Sequence, residues 1–163
     1  MMGAGKSAVG SCLEKRTGVT QIDTDDIVAS KFGISIPEIF SKYGEERFRD
    51  AETEALRGIA VDQPAVIMTG GGIVLREENV DLLKRLGIVV WLDANEEILF
   101  ERAVRKGNRP LLEAENRRKT FSQMLQARRP VYAKIANIRV DTAALAADEV
   151  AEAILKLLEA NDG

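Results

Sequence analysis

The run Gly3-Ala4-Gly5-Lys6-Ser7 constrains the fold of this chain more than any other stretch. It matches the end of a phosphate-binding loop, G-x-x-x-x-G-K-[ST]. Such a loop is fed by a buried strand and leads into a helix. Small residues let successive backbone N–H groups turn inward as an anion nest, and the helix adds its positive end. Gly3, Ala4, Gly5 and the following Ala8 would frame that nest. Lys6 would reach the outer phosphates, and the Ser7 hydroxyl would ligate magnesium. Aligned on Gly5-Lys6-Ser7, the first glycine of the signature falls one residue before Met1, and the feeding strand falls there too. The chain is therefore expected to lack both. The competing reading is a flexible glycine-rich N-terminus, and the rest of the chain must decide between them.

Strand and helix patterns alternate over the 163 residues. Helical spacing marks Ser7–Thr17 (ended by Gly18), Ile36–Phe40, Glu45–Val61, Asn79–Leu86, Glu96–Arg105, Arg117–Ile135 and Asp148–Glu159. Pro130 is expected to interrupt or kink the Arg117–Ile135 helix. Short strands are expected at Thr20–Ile22, Ala65–Thr69, Ile88–Leu92 and Ile138–Val140. The unbroken apolar run Ile88–Leu92 suits a strand buried on both faces. Residues 107–116 read as irregular. This alternation predicts a single α/β domain, residues 1–163, with a parallel sheet covered by helices on both faces.

Composition excludes several chemistries. There is no histidine, so serine–histidine triads and histidine-bound metals are ruled out, and proton transfer falls to carboxylate, lysine, tyrosine or water. One cysteine, Cys12, can form no internal disulfide, which suits the cytoplasm. Among Ala8, Val9 and Leu13 it reads as a small buried hydrophobe. No apolar run is long enough for a membrane span, and the N-terminus lacks a signal-peptide pattern. The net charge of −3 suggests no nucleic-acid or membrane partner. It is unevenly spread: from Arg102 to Arg129, nine basic residues meet only Glu113 and Glu115, giving +7 against −10 elsewhere. A local cationic field on an acidic protein suits a small polyanionic ligand, although several of these residues also fit a solvated helix face.

In open α/β sheets, ligands bind outside the carboxyl ends of the strands. Asp23-Thr24-Asp25, Gly70-Gly71-Gly72 and the phosphate loop should therefore converge. Asp23 could hold magnesium through water, and Asp25 could orient and deprotonate an attacking hydroxyl. Helix capping is the alternative for Asp25 or Asp26. Three consecutive glycines cost backbone entropy, which suggests main chain pressed against a ligand; a plain turn is the alternative.

Taken in order, Asp23-Thr24-Asp25, Ser35-Ile36-Pro37-Glu38-Ile39-Phe40, Gly44-Glu45-Glu46-Arg47-Phe48-Arg49 with Glu52, Gly70-Gly71-Gly72, Arg109-Pro110-Leu111-Leu112 and Arg128-Arg129-Pro130-Val131-Tyr132 resemble the shikimate kinase family over nearly the whole chain. The resemblance implies a P-loop kinase, a three-layer sandwich on a parallel sheet of order 2-3-1-4-5. The strand expected to be missing is then the central one, and the lid spans about 107–119. It implies shikimate held by Asp25, Arg49, Gly70, Gly71, Gly72 and Arg128, with Glu52 positioning Arg49. Guanidinium groups suit the substrate carboxylate, and an aspartate suits its hydroxyls. Arg109 would be the lid arginine over the phosphates, Arg102 would lie against the nucleotide, and the adenine would sit near Asp141 and Thr142. The implied activity is transfer of the ATP γ-phosphate to the 3-hydroxyl of shikimate, in the synthesis of aromatic amino acids. The enzyme would be magnesium-dependent, cytoplasmic and monomeric, with Lys6, Asp25 and Arg109 catalytic and Ser7 and Asp23 at the metal. Two other readings stay open. One is a gluconate-type, nucleoside monophosphate or other small-molecule kinase. The other is a non-catalytic or impaired nucleotide-binding module, supported by the truncated loop.

Overall fold

The computed structural model describes residues 1–60, 62–105 and 116–161. Helix α1, Lys6–Thr17, starts from Gly5 at a left-handed φ of 84° and ends at Gly18, whose N–H returns to the Glu14 carbonyl. Strand β1, Thr20–Asp23, passes directly into α2, Thr24–Phe32. This helix was not expected from the sequence: its polar Thr-Asp-Asp start reads as a turn, and nine residues give little periodicity. Its cap is Asp23 rather than Asp25 or Asp26, because the Asp23 carboxylate accepts the Asp25 N–H at 2.8 Å. Helix α3, Ile36–Gly58, opens with a Ser35–Glu38 capping box and breaks at Gly44, at φ 79° and ψ 171°. The two helices expected here are the halves on either side of that kink.

Then follow β2, Ala65–Met68, a 3-10 turn at Ile73–Leu75, α4, Glu77–Leu86, and β3, Val90–Asp93. β3 starts two residues later than expected, since Val89 spends its N–H on Asn137 Oδ1 and its carbonyl on the Asn137 and Ile138 amides. Helices α5, Glu96–Arg105, and α6, Arg117–Ile135, precede β4, Ile138–Asp141, and α7, Ala147–Asn161. Helix α6 has the expected bounds and runs through Pro130 without being interrupted there. Arg117–Lys119, at the upper edge of the expected lid, lie in the first turn of α6.

All strand pairing is parallel, as the alternation predicts. β1 pairs with β2, from Thr20 with Ala65 to Asp23 with Met68. β3 pairs with β4, from Val90 with Ile138 to Asp93 with Asp141. The two pairs form separate sheets among the described residues. Between them lies an apolar cleft of about 410 Å³, lined by Ala65–Thr69 on one side and Val89–Leu92 on the other. Neither β1 nor β4 contributes to it, so it runs along the inner edges of β2 and β3.

Among the described residues, two cores hold the molecule. The main one joins α1, the β3–β4 pair, α5, α6 and α7 through Leu13, Leu99, Phe121, Leu125, Val140 and Ile154. A smaller one lies between α2 and α3, built from Val28, Ile39, Phe48, Ala51 and Ala55. No described helix is long and apolar enough to cross a membrane.

Candidate active site

The N-terminal loop is tightly built. Gly3 (φ 77°) and Gly5 (φ 84°) take the left-handed backbone that favours glycine. A Cβ at Gly3 would stand 2.2 Å from the Leu99 carbonyl oxygen, so the position excludes any side chain. The loop therefore turns hard against the middle of α5, at Leu99 and Ala103, before α1 begins. Lys6 Nζ reaches back to donate to the Met1 carbonyl at 3.4 Å, and Ser7 is exposed at the start of α1. Gly3, Ala4, Gly5 and Ala8 line a cleft of about 290 Å³, completed by Arg102, Arg105, Thr142 and Leu145. Arg102 is fixed there by donating to Thr142 Oγ1 at 3.0 Å and to the Thr142 carbonyl at 2.9 Å. Arg105 and Leu145 were not anticipated, because residues from separate turns meet here without sharing a motif.

A second cleft, of about 90 Å³, gathers Asp25, Arg49, Glu52, Gly70–Gly72 and Arg128, with Met2 connecting it to the loop. Each glycine faces a different polar group at close range. A Cβ at Gly70 would lie 2.8 Å from Glu52 Oε1 and 3.2 Å from Asp25 Oδ1. One at Gly71 would lie 3.1 Å from Tyr132 Oη and 3.5 Å from Arg128 Nη1. One at Gly72 would strike Arg49 Nη1 at 2.4 Å. Any side chain here would push into the cleft's charged walls, which accounts for three glycines in a row.

Arg49 is 7% exposed and anchored on both sides. Its Nη1 donates to Glu52 Oε2 at 2.6 Å, its Nη2 to Glu45 Oε1 at 3.0 Å, and it lies over the Phe48 ring. Burial alone would lower the Arg49 pKa, but Glu52 and Glu45 outweigh it and the net shift is upward. Glu52 is fully buried, and burial pushes its carboxyl up despite the Arg49 charge. Its Oε1, turned towards Gly70, has no hydrogen-bond partner among the described residues. Arg128, 4% exposed on α6, has its pKa drawn down by burial. Tyr132, one turn further along, donates its hydroxyl to the Gly71 carbonyl and ties α6 to the glycine turn. The sequence offered Tyr132 only as part of the Arg-Arg-Pro-Val-Tyr run.

Asp23 ends β1, two residues before Asp25, and burial raises its carboxyl pKa. A cation next to it would offset that cost. The exposed Ser7 hydroxyl is a second oxygen donor of the kind magnesium takes, the remaining positions being filled by water and phosphate. No described cluster of three acidic, cysteine or histidine side chains could hold a metal by itself. Arg109, expected in the lid, lies outside the described residues.

One fixture escaped the sequence reading. Asp93, buried at the end of β3, accepts from Arg139 Nη2 at 2.7 Å and from Arg129 Nη2 at 3.2 Å. Arg129 also holds the Ala94 carbonyl at 2.7 Å. Asp93 thus fastens α6 at the residue next to Arg128. Asp93→Asn is expected to destabilise the protein by about 1–3 kcal/mol, since a buried carboxylate that serves two guanidinium groups becomes a neutral amide. Urea denaturation monitored by circular dichroism checks this.

Known proteins resemble this chain over nearly its whole length. The family model described as shikimate kinase matches residues 2–159. A shikimate kinase of Thermodesulfovibrio yellowstonii is 44% identical, over 97% of this chain and 91% of that protein. One from Geobacter sulfurreducens is 41% identical over 91% of this chain and 82% of its own length. The solved structure of the Acinetobacter baumannii shikimate kinase in complex with shikimate superposes with a TM-score of 0.93 at 38% identity, covering 98% of this chain and 89% of that one.

Proposed function

The chain belongs to the shikimate kinase family and is an ATP-dependent phosphotransferase, and from that premise we propose how its residues transfer the γ-phosphate to the 3-hydroxyl of shikimate. The observation that carries the assignment is the meeting of Asp25, Arg49, Arg128 and the Gly70–Gly72 turn in one cleft, joined through Met2 to the Gly3–Ser7 loop. Two buried guanidinium groups against a single acidic wall suit a ligand with one carboxylate and several hydroxyls. Arg49 and Arg128 hold the carboxylate. Asp25 accepts a hydrogen bond from the attacking hydroxyl and takes its proton as the bond to phosphorus forms. Glu52 keeps Arg49 pointed into the cleft.

The nucleotide lies in the neighbouring cleft, its phosphates on the backbone N–H groups of Gly3–Ala8 and its base between Arg102 and the Thr142–Leu145 turn. Lys6 reaches the transferred phosphoryl group, and Arg109 is assigned the lid contact that stabilises charge in the transition state. Ser7 and, through water, Asp23 would hold magnesium, which when bound would supply positive charge to offset that of the phosphates. Once the nest and the arginines fix the donor, little covalent work remains for the protein, and rate comes from placement.

The proposed architecture is a single three-layer domain over residues 1–163. Its two observed strand pairs are the wings of a parallel sheet of order 2-3-1-4-5, centred on the cleft between β2 and β3. The proposed setting is a cytoplasmic monomer; a single cysteine and no possible internal disulfide support that compartment.

A coupled assay of ADP release with shikimate tests the activity. Shikimate-dependent turnover is expected; ATP binding without turnover would instead favour a non-catalytic module, and turnover with gluconate alone another kinase class. Arg128→Ala is expected to raise the KM for shikimate at least tenfold, on the order of one charge-assisted contact, with the KM for ATP unchanged. Equal effects on both substrates would remove Arg128 from the shikimate site.

A further inference from the structure

We propose, on the substrate assignment above, that Arg76 is a positioning residue: from outside the substrate cleft it locks the Gly70–Gly72 turn to the stretch of α3 that carries Arg49. Arg76 lines neither of the two site clefts. It stands at the joint between the 3-10 turn and α4, where its extended backbone caps that helix. The segment from Gly70 to this joint is bonded to itself. Ile73 donates its N–H to the Gly70 carbonyl at 3.3 Å, and Leu75 to the Gly72 carbonyl at 3.0 Å. Asn79, fully buried, donates its Nδ2 to the Ile73 carbonyl at 2.9 Å and its N–H to the Arg76 carbonyl at 3.1 Å. The glycine turn therefore moves with Arg76.

The Arg76 side chain leaves this unit and grips α3. Its Nη1 donates to Asp50 Oδ1 at 2.8 Å and to Thr53 Oγ1 at 3.4 Å, and its Nη2 donates to Glu46 Oε1. Residues 46, 50 and 53 form one stripe of the helix. Glu45, Arg49 and Glu52 form the next, about 100° round the axis. The same unit also meets that second stripe, because Gly72 is seated against the Arg49 guanidinium. A Cβ at Gly72 would fall within 2.6 Å of Arg49 Nη1, Cζ and Nη2. A helix held on two adjacent stripes cannot turn about its axis, and that turn would carry Arg49 away from Gly72.

The rotation needs fixing because Gly44 breaks α3 just before this stretch, at φ 79°. The first half of the helix therefore does not set the angle of the second. Thr53 closes the link: its hydroxyl accepts from Arg76 and donates to the Arg49 carbonyl at 3.1 Å. A planar guanidinium serves Asp50 and Glu46 at once through two nitrogens, a geometry that a lysine ammonium does not reproduce. Ion pairs with exposed carboxylates add little stability. Loss of Arg76 is therefore expected to show in placement rather than in folding.

Arg57 supplies the control. It joins α3 to Glu78 of α4, roughly 12 Å further along the helix than Arg49. Steady-state kinetics and amide hydrogen exchange are measured on the full chain and its variants. Arg76→Ala is expected to raise the KM for shikimate about tenfold. The kcat and the KM for ATP should change less than about twofold, the split that marks lost binding rather than lost chemistry. With no substrate present, the Ile73 and Leu75 amides should exchange about tenfold faster. Arg57→Ala should alter none of these. Glu46→Ala/Asp50→Ala should reproduce the rise in KM, and adding Arg76→Ala to it should raise KM no further. An unchanged KM for shikimate, an equal rise for ATP, additive effects, or the same rise in Arg57→Ala would overturn the proposal. If the wild-type chain turns over no shikimate, the reading of the cleft falls and hydrogen exchange decides alone. Faster exchange at Ile73 and Leu75 in Arg76→Ala then upholds the lock, and unchanged exchange overturns it.

Discussion

Asp25→Asn is expected to lower kcat by about a thousandfold, within the roughly 10²–10⁴ that a positioned general base contributes, while ATP affinity stays unchanged. The substitution keeps the size and hydrogen-bonding shape of the side chain but removes its ability to take a proton. Asp25 belongs to the first turn of α2, where its main-chain N–H is already engaged by the Asp23 cap. Its backbone is therefore held independently of its carboxylate, and the fold should survive. Its side chain lines the small cleft with Arg49, Glu52 and Arg128 and has no place in the cleft beside Arg102. Steady-state kinetics with shikimate, combined with calorimetric titration of ATP, separates the two effects. A loss below tenfold would show that phosphoryl transfer here proceeds without a base at Asp25; a parallel loss of ATP affinity would move Asp25 to the nucleotide side.

Arg49→Ala is expected to destabilise the protein by about 3–5 kcal/mol, the range for stripping one partner from a buried ion pair. It should also raise the KM for shikimate at least tenfold. The two effects have different origins. Glu52 is fully buried, and Arg49 Nη1 at 2.6 Å is the one cation hydrogen-bonded to it among the described residues. Without Arg49 its carboxylate must either protonate or remain charged out of water. The double variant Arg49→Ala/Glu52→Gln removes that buried charge and is expected to recover most of the stability in urea denaturation, with the KM still raised. Recovery of both would make Arg49 a purely structural residue. Recovery of neither would mean that the damage comes from lost packing against Phe48.

Much of this was legible in the chain. The glycine-rich loop, the two aspartates after a short strand, the triple glycine and the spaced arginines were all visible as types and spacings. The structure does bring Asp25, Arg49, Gly70–Gly72 and Arg128 into one cleft. What the sequence hid has physical causes. Helix α2 is short, and an aspartate cap looks like an aspartate turn until the backbone is seen, so Thr24–Phe32 passed for a break. The start of β3 depends on Asn137, 48 residues downstream of Val89, which claims that residue's backbone. Local pattern cannot register so distant a partner. The Asp93 clamp likewise joins residues from three elements; in the sequence Arg129 merely ends the basic Arg102–Arg129 stretch and Arg139 lies outside it. The Arg117–Ile135 helix was legible despite Pro130, which does not interrupt it.

The division into two cores has a consequence for selectivity. Arg49 rides between Phe48 and Ala51 of the small α2–α3 core, whereas Arg128 rides between Leu125 and Tyr132 of the main one. In the proposed site the two guanidinium groups thus stand on different hydrophobic clusters, which α3 bridges because its Leu56 lies in the main one. The span between them follows from how α3 is seated against the main core as well as from the arginines themselves. Under the proposed assignment, substitutions at that seat would change which molecules fit while both arginines stay unchanged. Exchange of α2–α3 between relatives should accordingly shift which ring sizes are accepted, while the phosphate side keeps its grip on the nucleotide.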